Sequence, residues 1–598
     1  MSTDQSSATA PTDALMRLRA ELPAHNLDGW YVGREDMYQG EEVPPGEERL
    51  AYVSGFTGSA GFALVLADHA MLFSDGRYSL QMVDQCDNKQ WSCHTLPDEN
   101  LARVLTAHQQ QAGLDAGFRI GIDPHLVTVA AFNRIAAAVS GCGGVLVAVS
   151  DNLVDAIWPD RPAMPAPKAV MMDDAIAGES ADSKMAKLDA ELDAAGGDAI
   201  ILSRVDAVNW LVNMRGGDLP CTPVNLAFAL YHRENGLIIL ADPGRLLAVM
   251  GAGYSVVPLA QLPALIDPAA GYDRNTKILI ELASLPHILH SQLAASGVEL
   301  IDAPCPVTRL KARKNKVELA GIRRAHIEDG AAMVRFLAWL DSGVASGMSE
   351  SAIADHLLDI RRQSANFIAS SFDTICGSGP NGAIVHYRAI AGVDRVLMND
   401  NLLLVDSGAH YHDGTTDITR TIAIGQPDTA MRTAFTLVLK GHIALAIARF
   451  PSDTNGVQLD VMARMPLWSA GMDYAHGTGH GVGHVLQVHE GPASISKRGN
   501  LALAPGMFLS NEPGYYSAGE WGIRIENLIA VNAPDDAGYL SFETVTKCPI
   551  DRRLIDPDLL DDSERDWVNS YHRDVEAVLS PLLDDNDKAW IEAACRPI

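Results

Sequence analysis

Alternating apolar and polar positions divide the first half of the chain into two stretches built to one plan. Between residues 28 and 79, DGWYV predicts a strand and GREDMYQGEEVPPGEE a polar loop. The aromatic-bearing LAYVSGF follows, then GSAGFALVLADHAMLF as a hairpin, closed by SDGRYSL. Residues 198–242 repeat the order with DAIILS, VNWLVNMRGGD and NLAFALYHRENGLIILAD. Helical stretches such as DSKMAKLDAELDAAG separate the strands. The pattern predicts two related α/β domains, 14–160 and 161–308, joined by the Pro-rich IWPDRPAMPAPK.

The period changes after residue 308. The basic stretch RLKARKNKVE leads into GIRRAHIEDGAAMVRFLAWLDSG, a long helical pattern with Ile322, Met333, Phe336, Leu337 and Leu340 on its apolar face. A third region, 309–598, therefore begins here, and WVNSYHRDVEAVLSPLL near its end reads as a packing helix. Residues 1–13 offer nothing to bury and are expected to be disordered. At 598 residues, 47% hydrophobic and 20% charged, the chain is ordinary multidomain globular protein. A net charge of −29 repels phosphate backbones and excludes nucleic acid as a partner. Eight scattered cysteines point to a reducing compartment, and the absence of an apolar leader or spanning run points to the cytoplasm rather than a membrane.

Candidate chemistry lies in the third region. The strand run NLLLV ends on Asp406, which enters the core side and needs a partner or a metal. Asp413-Gly414 is a turn signal, and Asp417 opens the next strand, TRTIAI. A turn centred on 413 and 414 sets Asp406 opposite Thr421; one centred on 411 and 412 sets it opposite Asp417. Either register places both aspartates on one face. In MFLSNEPGYYSAGEWGIRIENLIAV, Glu512 and Glu526 are symmetric about Gly519 and face each other across a second hairpin. Four carboxylates on a buried face need cations between them. The bland alternative is ion pairing with Arg388, Arg420 and Arg524. A hard, oxygen-rich donor set suits two divalent ions of the Mn, Co, Fe or Zn type, Mn²⁺ foremost, about 3.5–4 Å apart. A fifth ligand is expected from HGTGHGVGHVLQVHEGP, 476–492, with four histidines and five glycines. It is no helix, because each glycine would weaken one by about 1 kcal/mol. The glycines let backbone approach a crowded site.

Asp406, Asp417, His480, Glu512 and Glu526, set within HGTGHG, VHEGP, NEPGYY and GIRIEN, resemble the pita-bread metallopeptidases. AYVSGFTGSAG, SDGRY, NWLVNMRGGD and KNKVELAGIRRAHIEDG extend the resemblance to the long, three-domain Xaa-Pro aminopeptidases, from about residue 14 onward. It implies two creatinase-like α/β domains, 14–160 and 161–308, then a pita-bread catalytic domain with a C-terminal extension, 309–598, in an α/β (α+β) chain. It implies that Asp406 holds one metal, that Asp417 and Glu526 bridge two, and that His480 and Glu512 hold the other. His386, in GPNGAIVHYR, and His489 would bind substrate near the scissile bond and act with Glu512 in catalysis. His476 would line the proline side, and Arg524 would orient carboxylates. His410, His412 and His484 match no role and are expected to be structural or exposed. The implied reaction is release of the first residue from peptides with proline second, by a hydroxide bridging two Mn²⁺ ions, with Co²⁺ or Zn²⁺ as substitutes. Glu512 would relay the proton. The resemblance further implies a homodimer. A prolidase acting on Xaa-Pro dipeptides is the nearest alternative, and a non-catalytic pita-bread binding protein the more distant one.

Overall fold

The computed structural model describes residues 11–112, 114–267, 272 and 274–598. Residues up to Met171, with Ala181–Pro220 and Val224–Val307, form one compact unit. Met172–Ser180, Cys221–Pro223 and Thr308–Ile598 form the other.

Two six-stranded sheets make up the first unit. Helix α1 (Pro11–Glu21) precedes β1 (Gly29–Gly33), α2 (Arg49–Ser54), β2 (Phe62–Leu66), β3 (Ala70–Asp75), β4 (Trp91–Leu96), β5 (Arg119–Ile122) and β6 (Val145–Ala148). The second sheet comprises β7 (Ala199–Leu202), then helix α3 (Val205–Leu211), β8 (Phe228–His232), β9 (Gly236–Leu240), β10 (Ser255–Val257), β11 (Lys277–Ile280) and β12 (Glu299–Asp302). The strand orders are β4-β3-β2-β1-β5-β6 and β10-β9-β8-β7-β11-β12. In both, the first strand pairs antiparallel with the hairpin, whose second strand takes a parallel neighbour, and two parallel strands extend the other edge. The repeated pattern of the sequence is a repeated topology, and LAYVSGF and VNWLVNM are the short helices α2 and α3.

One expectation is corrected. Residues 11–13 are the first turn of α1 rather than disordered. Proline is tolerated in a first turn, Asp13 complements the helix dipole there, and Leu15 and Leu18 bury the helix. Residues 1–10 lie outside the described residues.

Helix α4 (Lys316–Asp341) is the long helix of the second unit, 26 residues capped by a reciprocal Asn315–Glu318 box. Its buried face includes Ile322, Met333, Phe336, Leu337 and Leu340. Next come β13 (Ile375–Ser378), β14 (Asn401–Ser407), β15 (Ala409–Tyr411), β16 (Gly414–Thr415), β17 (Ile418–Ile424), helix α5 (Gly456–Trp468), β18 (Gly479–His480) and β19 (Ser494–Ile495). They are followed by β20 (Phe508–Asn511), β21 (Gly514–Ser517), β22 (Trp521–Arg524), β23 (Asn527–Val531) and helix α6 (Asp562–Leu579). Strand β14 pairs with β13 on one side and β17 on the other; β20 pairs with β23 and β21 with β22. α6 buries Val568, Tyr571, Val575 and Leu579 in a core of this unit, as its apolar spacing predicts.

Candidate metal centre

The two hairpins bring four acids to one place by different registers. In the second hairpin, Gly514 pairs with Arg524 and Ser517 with Trp521, and the pairing continues in phase from Asn511–Asn527 to Phe508–Ala530. Ala518–Glu520 form the loop, with Gly519 at φ +78°. Glu512 and Glu526 thus stand opposite each other, as their symmetry about Gly519 predicts.

The first hairpin takes neither expected register. Tyr411 pairs with Gly414, so His412 and Asp413 form the turn, and Asp406 faces Thr419. Gly414 serves packing instead of the turn: a Cβ there would lie 2.8 Å from the Ala325 Cβ and 3.0 Å from the Ile322 Cα on α4. Asp417 lies two residues before Thr419, so both aspartates keep one face.

Ligand atoms of Asp406, Asp417 and Glu526 lie within 4.8 Å of one another, as do those of His480, Glu512 and Glu526. A third such group, Asp417, His480 and His489, includes a histidine expected to bind substrate. Among the described residues, Asp406 Oδ1, Asp417 Oδ1 and Glu526 Oε1 are buried with no hydrogen-bond partner. Two of the remaining oxygens are tied down. Arg524 Nη2 donates to Asp406 Oδ2 at 2.5 Å, and Thr419 Oγ1 donates to Glu526 Oε2 at 2.8 Å. Burial first, then neighbouring carboxylates, raise the Glu526 carboxyl well above the usual range, and burial raises Glu512. Asp406 is pushed up to about 6 by burial against the opposing pull of Arg524. Buried acids with free oxygens and one guanidinium among them fit divalent cations. Of the arginines named as alternative partners, only Arg524 pairs with the cluster. Arg388 pairs with Asp373 at the surface, and Arg420 donates to the Pro549, Cys548, Thr419 and Glu526 carbonyls and to Asn527 and Tyr571.

The glycine-rich segment supplies His480 without forming a helix. A Cβ on Gly479 would overlap the Ser510 carbonyl, and one on Gly481 the Glu490 carbonyl. His480 Nδ1 lies 3.0 Å from the Gly481 carbonyl, which can only accept, so Nδ1 carries a proton and Nε2 is the nitrogen turned to the acids. Nε2 stands 3.5 Å from both Asp417 Oδ2 and Glu512 Oε1. His489 is exposed, its ring 4.3 Å from that of His480.

His476 is reached through a chain of hydrogen bonds. Arg524 Nη1 donates to the Tyr516 hydroxyl at 2.6 Å, and that hydroxyl lies 2.8 Å from His476 Nε2. His476 Nδ1 donates to the Gly477 carbonyl at 2.7 Å, so Nε2 accepts from Tyr516. Burial pushes the Tyr516 hydroxyl up to about 12, keeping that proton in place. His386 is half-buried and follows Val385, whose carbonyl accepts from Arg524 Nη2 at 3.4 Å. His410 is buried between Thr415 and the Cys221 carbonyl, His484 is buried near the Asp413 carbonyl, and His412 is exposed.

Sequence reasoning missed Tyr516, Thr419 and Arg464. Strand parity holds the signal for Tyr516, because it lies two residues along from the Gly514–Arg524 pair, on the Arg524 face. Arg464 on α5 is buried, bonds Asp460 Oδ2 at 2.8 Å and donates to the His476 carbonyl at 2.7 Å. Asp460 Oδ1 in turn accepts from Thr478 at 2.5 Å, which fixes the entry into the glycine-rich segment.

Comparison with known proteins matches residues 320–533 to metallopeptidase family M24 and 538–598 to the C-terminal region of that peptidase. Residues 15–157 and 160–318 match creatinase/prolidase N-terminal domains. A probable Xaa-Pro aminopeptidase P of Laccaria bicolor is 38% identical, covering 96% of this chain and 91% of its own. One of Coprinopsis cinerea is 39% identical, covering 95% of each. The crystal structure of X-prolyl aminopeptidase from Caenorhabditis elegans, described as a cytosolic enzyme with a di-nuclear active site, superimposes with a TM-score of 0.92 at 30% identity. It covers 99% of this chain and 100% of that one. A Xaa-Pro dipeptidase from Bacillus anthracis matches with a TM-score of 0.51 at 27% identity, over 62% of this chain and 99% of its own.

Proposed function

This chain belongs to metallopeptidase family M24 with creatinase-type N-terminal domains, and from that premise we propose that it is a metal-dependent Xaa-Pro aminopeptidase. It hydrolyses the bond between the first residue and a following proline and releases that residue. The observation that carries the reading is joint: full-length likeness to Xaa-Pro aminopeptidases and a cluster of four carboxylates and an imidazole in which buried Asp406, Asp417 and Glu526 each keep a free oxygen. The match to the dipeptidase stops at 62% of the chain, which favours the aminopeptidase over a prolidase.

Asp406, Asp417 and Glu526 would hold one divalent ion, and His480, Glu512 and Glu526 the other, with Asp417 beside His480 as a second bridge. The oxygen-rich set favours Mn²⁺. Bound ions would supply Lewis acidity, lowering the pKa of a water and polarising the scissile carbonyl. Glu512 accepts the proton of the attacking water and delivers it to the prolyl nitrogen. His386 and His489 donate to the developing oxyanion. Arg524 holds Asp406 in place, and through Tyr516 it orients His476 on the proline side. We assign 14–160 and 161–308 as the two creatinase-like domains and 309–598 as the catalytic domain, in a cytoplasmic homodimer. Eight free cysteines support the reducing compartment.

Metal-stripped protein, with and without Mn²⁺, is offered an Xaa-Pro-Yaa tripeptide, the Xaa-Pro dipeptide and an Xaa-Ala-Yaa control, and products are read by mass spectrometry. Mn²⁺-dependent release of the first residue from the proline tripeptide alone is expected. Cleavage of the dipeptide alone makes it a prolidase, and silence with every metal overturns catalysis.

A further inference from the structure

The basic stretch ahead of α4 is not spent on the surface. Lys311 and Lys314 are 1% and 5% exposed, and both reach Glu490, itself 3% exposed. Their ammonium groups lie 2.9 and 2.6 Å from the two Glu490 oxygens. Lys314 also donates to the Lys311 carbonyl at 2.9 Å. A buried ionic triad contributes little net stability compared with apolar residues of the same volume, so its value lies in the geometry it imposes.

That geometry leads to the candidate metal centre. Glu490 directly follows His489, whose ring lies 4.3 Å from that of His480. The Glu490 amide donates at 2.7 Å to the Gly481 carbonyl, the same oxygen that lies 3.0 Å from His480 Nδ1. The Glu490 carbonyl occupies the space that a Cβ on Gly481 would need. Between these anchors, Val485 sits at φ +51°, a conformation costly for a β-branched residue, and its amide donates to Thr415 Oγ1 at 3.0 Å. The loop from Gly481 to Glu490 is thus held from both ends in a shape it would not choose alone.

We infer that Glu490, clamped by Lys311 and Lys314, is a positioning residue that fixes the His480 and His489 imidazoles for metal and substrate. The inference rests on the reading of His480 as a metal ligand. Through the shared Gly481 carbonyl, Glu490 sets the tautomer and ring plane of His480. Through the chain bond, it sets the starting point of the His489 side chain.

The test titrates Mn²⁺ into metal-stripped wild type and Glu490→Gln by calorimetry, at a temperature where both are fully folded, and measures kcat and KM after loading. Glu490→Gln is expected to weaken Mn²⁺ binding by about 10–100-fold and to lower kcat more than it raises KM, the range seen when groups behind a metal ligand are altered. Glu490→Asp, which keeps the charge, should recover part of the loss. Native Mn²⁺ affinity and kcat in folded Glu490→Gln, whatever its Tm, would overturn the inference while leaving the metal reading intact. A wild type that binds no ion overturns both. Should Glu490→Gln not fold, Lys311→Met, which leaves Lys314 on Glu490, is read by the same two criteria.

Discussion

In the hairpin of β14 and β17, Asp406 faces Thr419 and Asp417 stands two residues off, whereas Glu512 and Glu526 stand directly opposite across the other hairpin. Asp406 and Glu526 are each held from the opposite hairpin. Arg524 from the second fixes Asp406 of the first, and Thr419 from the first fixes Glu526 of the second. Thr421 completes the brace, accepting from the Arg524 amide at 3.1 Å and donating to its carbonyl at 2.9 Å. The Glu526 amide donates to the Thr419 carbonyl at 3.2 Å. Ligand geometry is therefore a property of the pair of hairpins, and damage to either should be felt at acids of the other.

The largest effect expected is at the shared acids. Asp417→Asn and Glu526→Gln should each drive activity below detection and reduce bound metal from two ions per chain, read by elemental analysis; full activity with two ions bound would remove the bridging role. Arg524→Lys comes next, with an expected loss of about 10–100-fold in kcat or metal affinity, because an ammonium cannot bond Asp406 and Tyr516 in one fork. Tyr516→Phe should cost less and should raise KM for the proline peptide, since it frees His476 but leaves Asp406 bound. Equal losses in the two variants would mean that the brace and the relay are one unit.

Stability effects are smaller. Thr419→Val should destabilise the metal-free protein by about 1–3 kcal/mol in denaturant titrations, because Glu526 Oε2 and Arg524 Nε both lose a partner. The smallest effect is a pH dependence. Asp406, Glu512 and Glu526 have folded-state carboxyls raised above their unfolded values, so the metal-free fold binds more protons than the unfolded chain above the ordinary carboxylate range, Asp406 doing so from about pH 4 to about 6. Their contribution is neutral below that window and turns destabilising as pH rises through it. The gap in Tm between metal-loaded and metal-free protein should widen from pH 5 to pH 7, and a gap that narrows would contradict the shifts.

Legibility in the sequence followed how local the cause was. The second hairpin was readable to the residue, since a glycine-centred loop leaves only one symmetric pairing for Glu512 and Glu526. The first was not, because Gly414 answers to α4, 89 residues earlier at Ala325 (414 − 325 = 89), rather than to its own turn. The repeated strand, helix and hairpin plan was legible from alternation alone, and it returned as two sheets of one strand order. Parity would have found Tyr516, but nothing local reveals that Lys311 and Lys314 fold onto Glu490, since those residues meet only through the packed chain. The expectation of a disordered start failed for residues 11–13 because Leu15 and Leu18, just beyond, have a core to join.

The strand order shared by the two sheets also sets a timetable for synthesis. Strand β1 meets β2 early, Gly29 with Leu66, but its other edge waits for β5, where Gly29 meets Ile120 across 91 residues (120 − 29 = 91). Until that stretch leaves the ribosome, the nascent chain carries a hairpin-backed strand with one naked, apolar edge, the kind of surface that recruits other chains. A comparable wait, of 79 residues (278 − 199 = 79), recurs in the second sheet, where Ala199 waits for Ile278. Growing chains of this protein thus pass twice through a window of vulnerability before the residues that do its chemistry have been made.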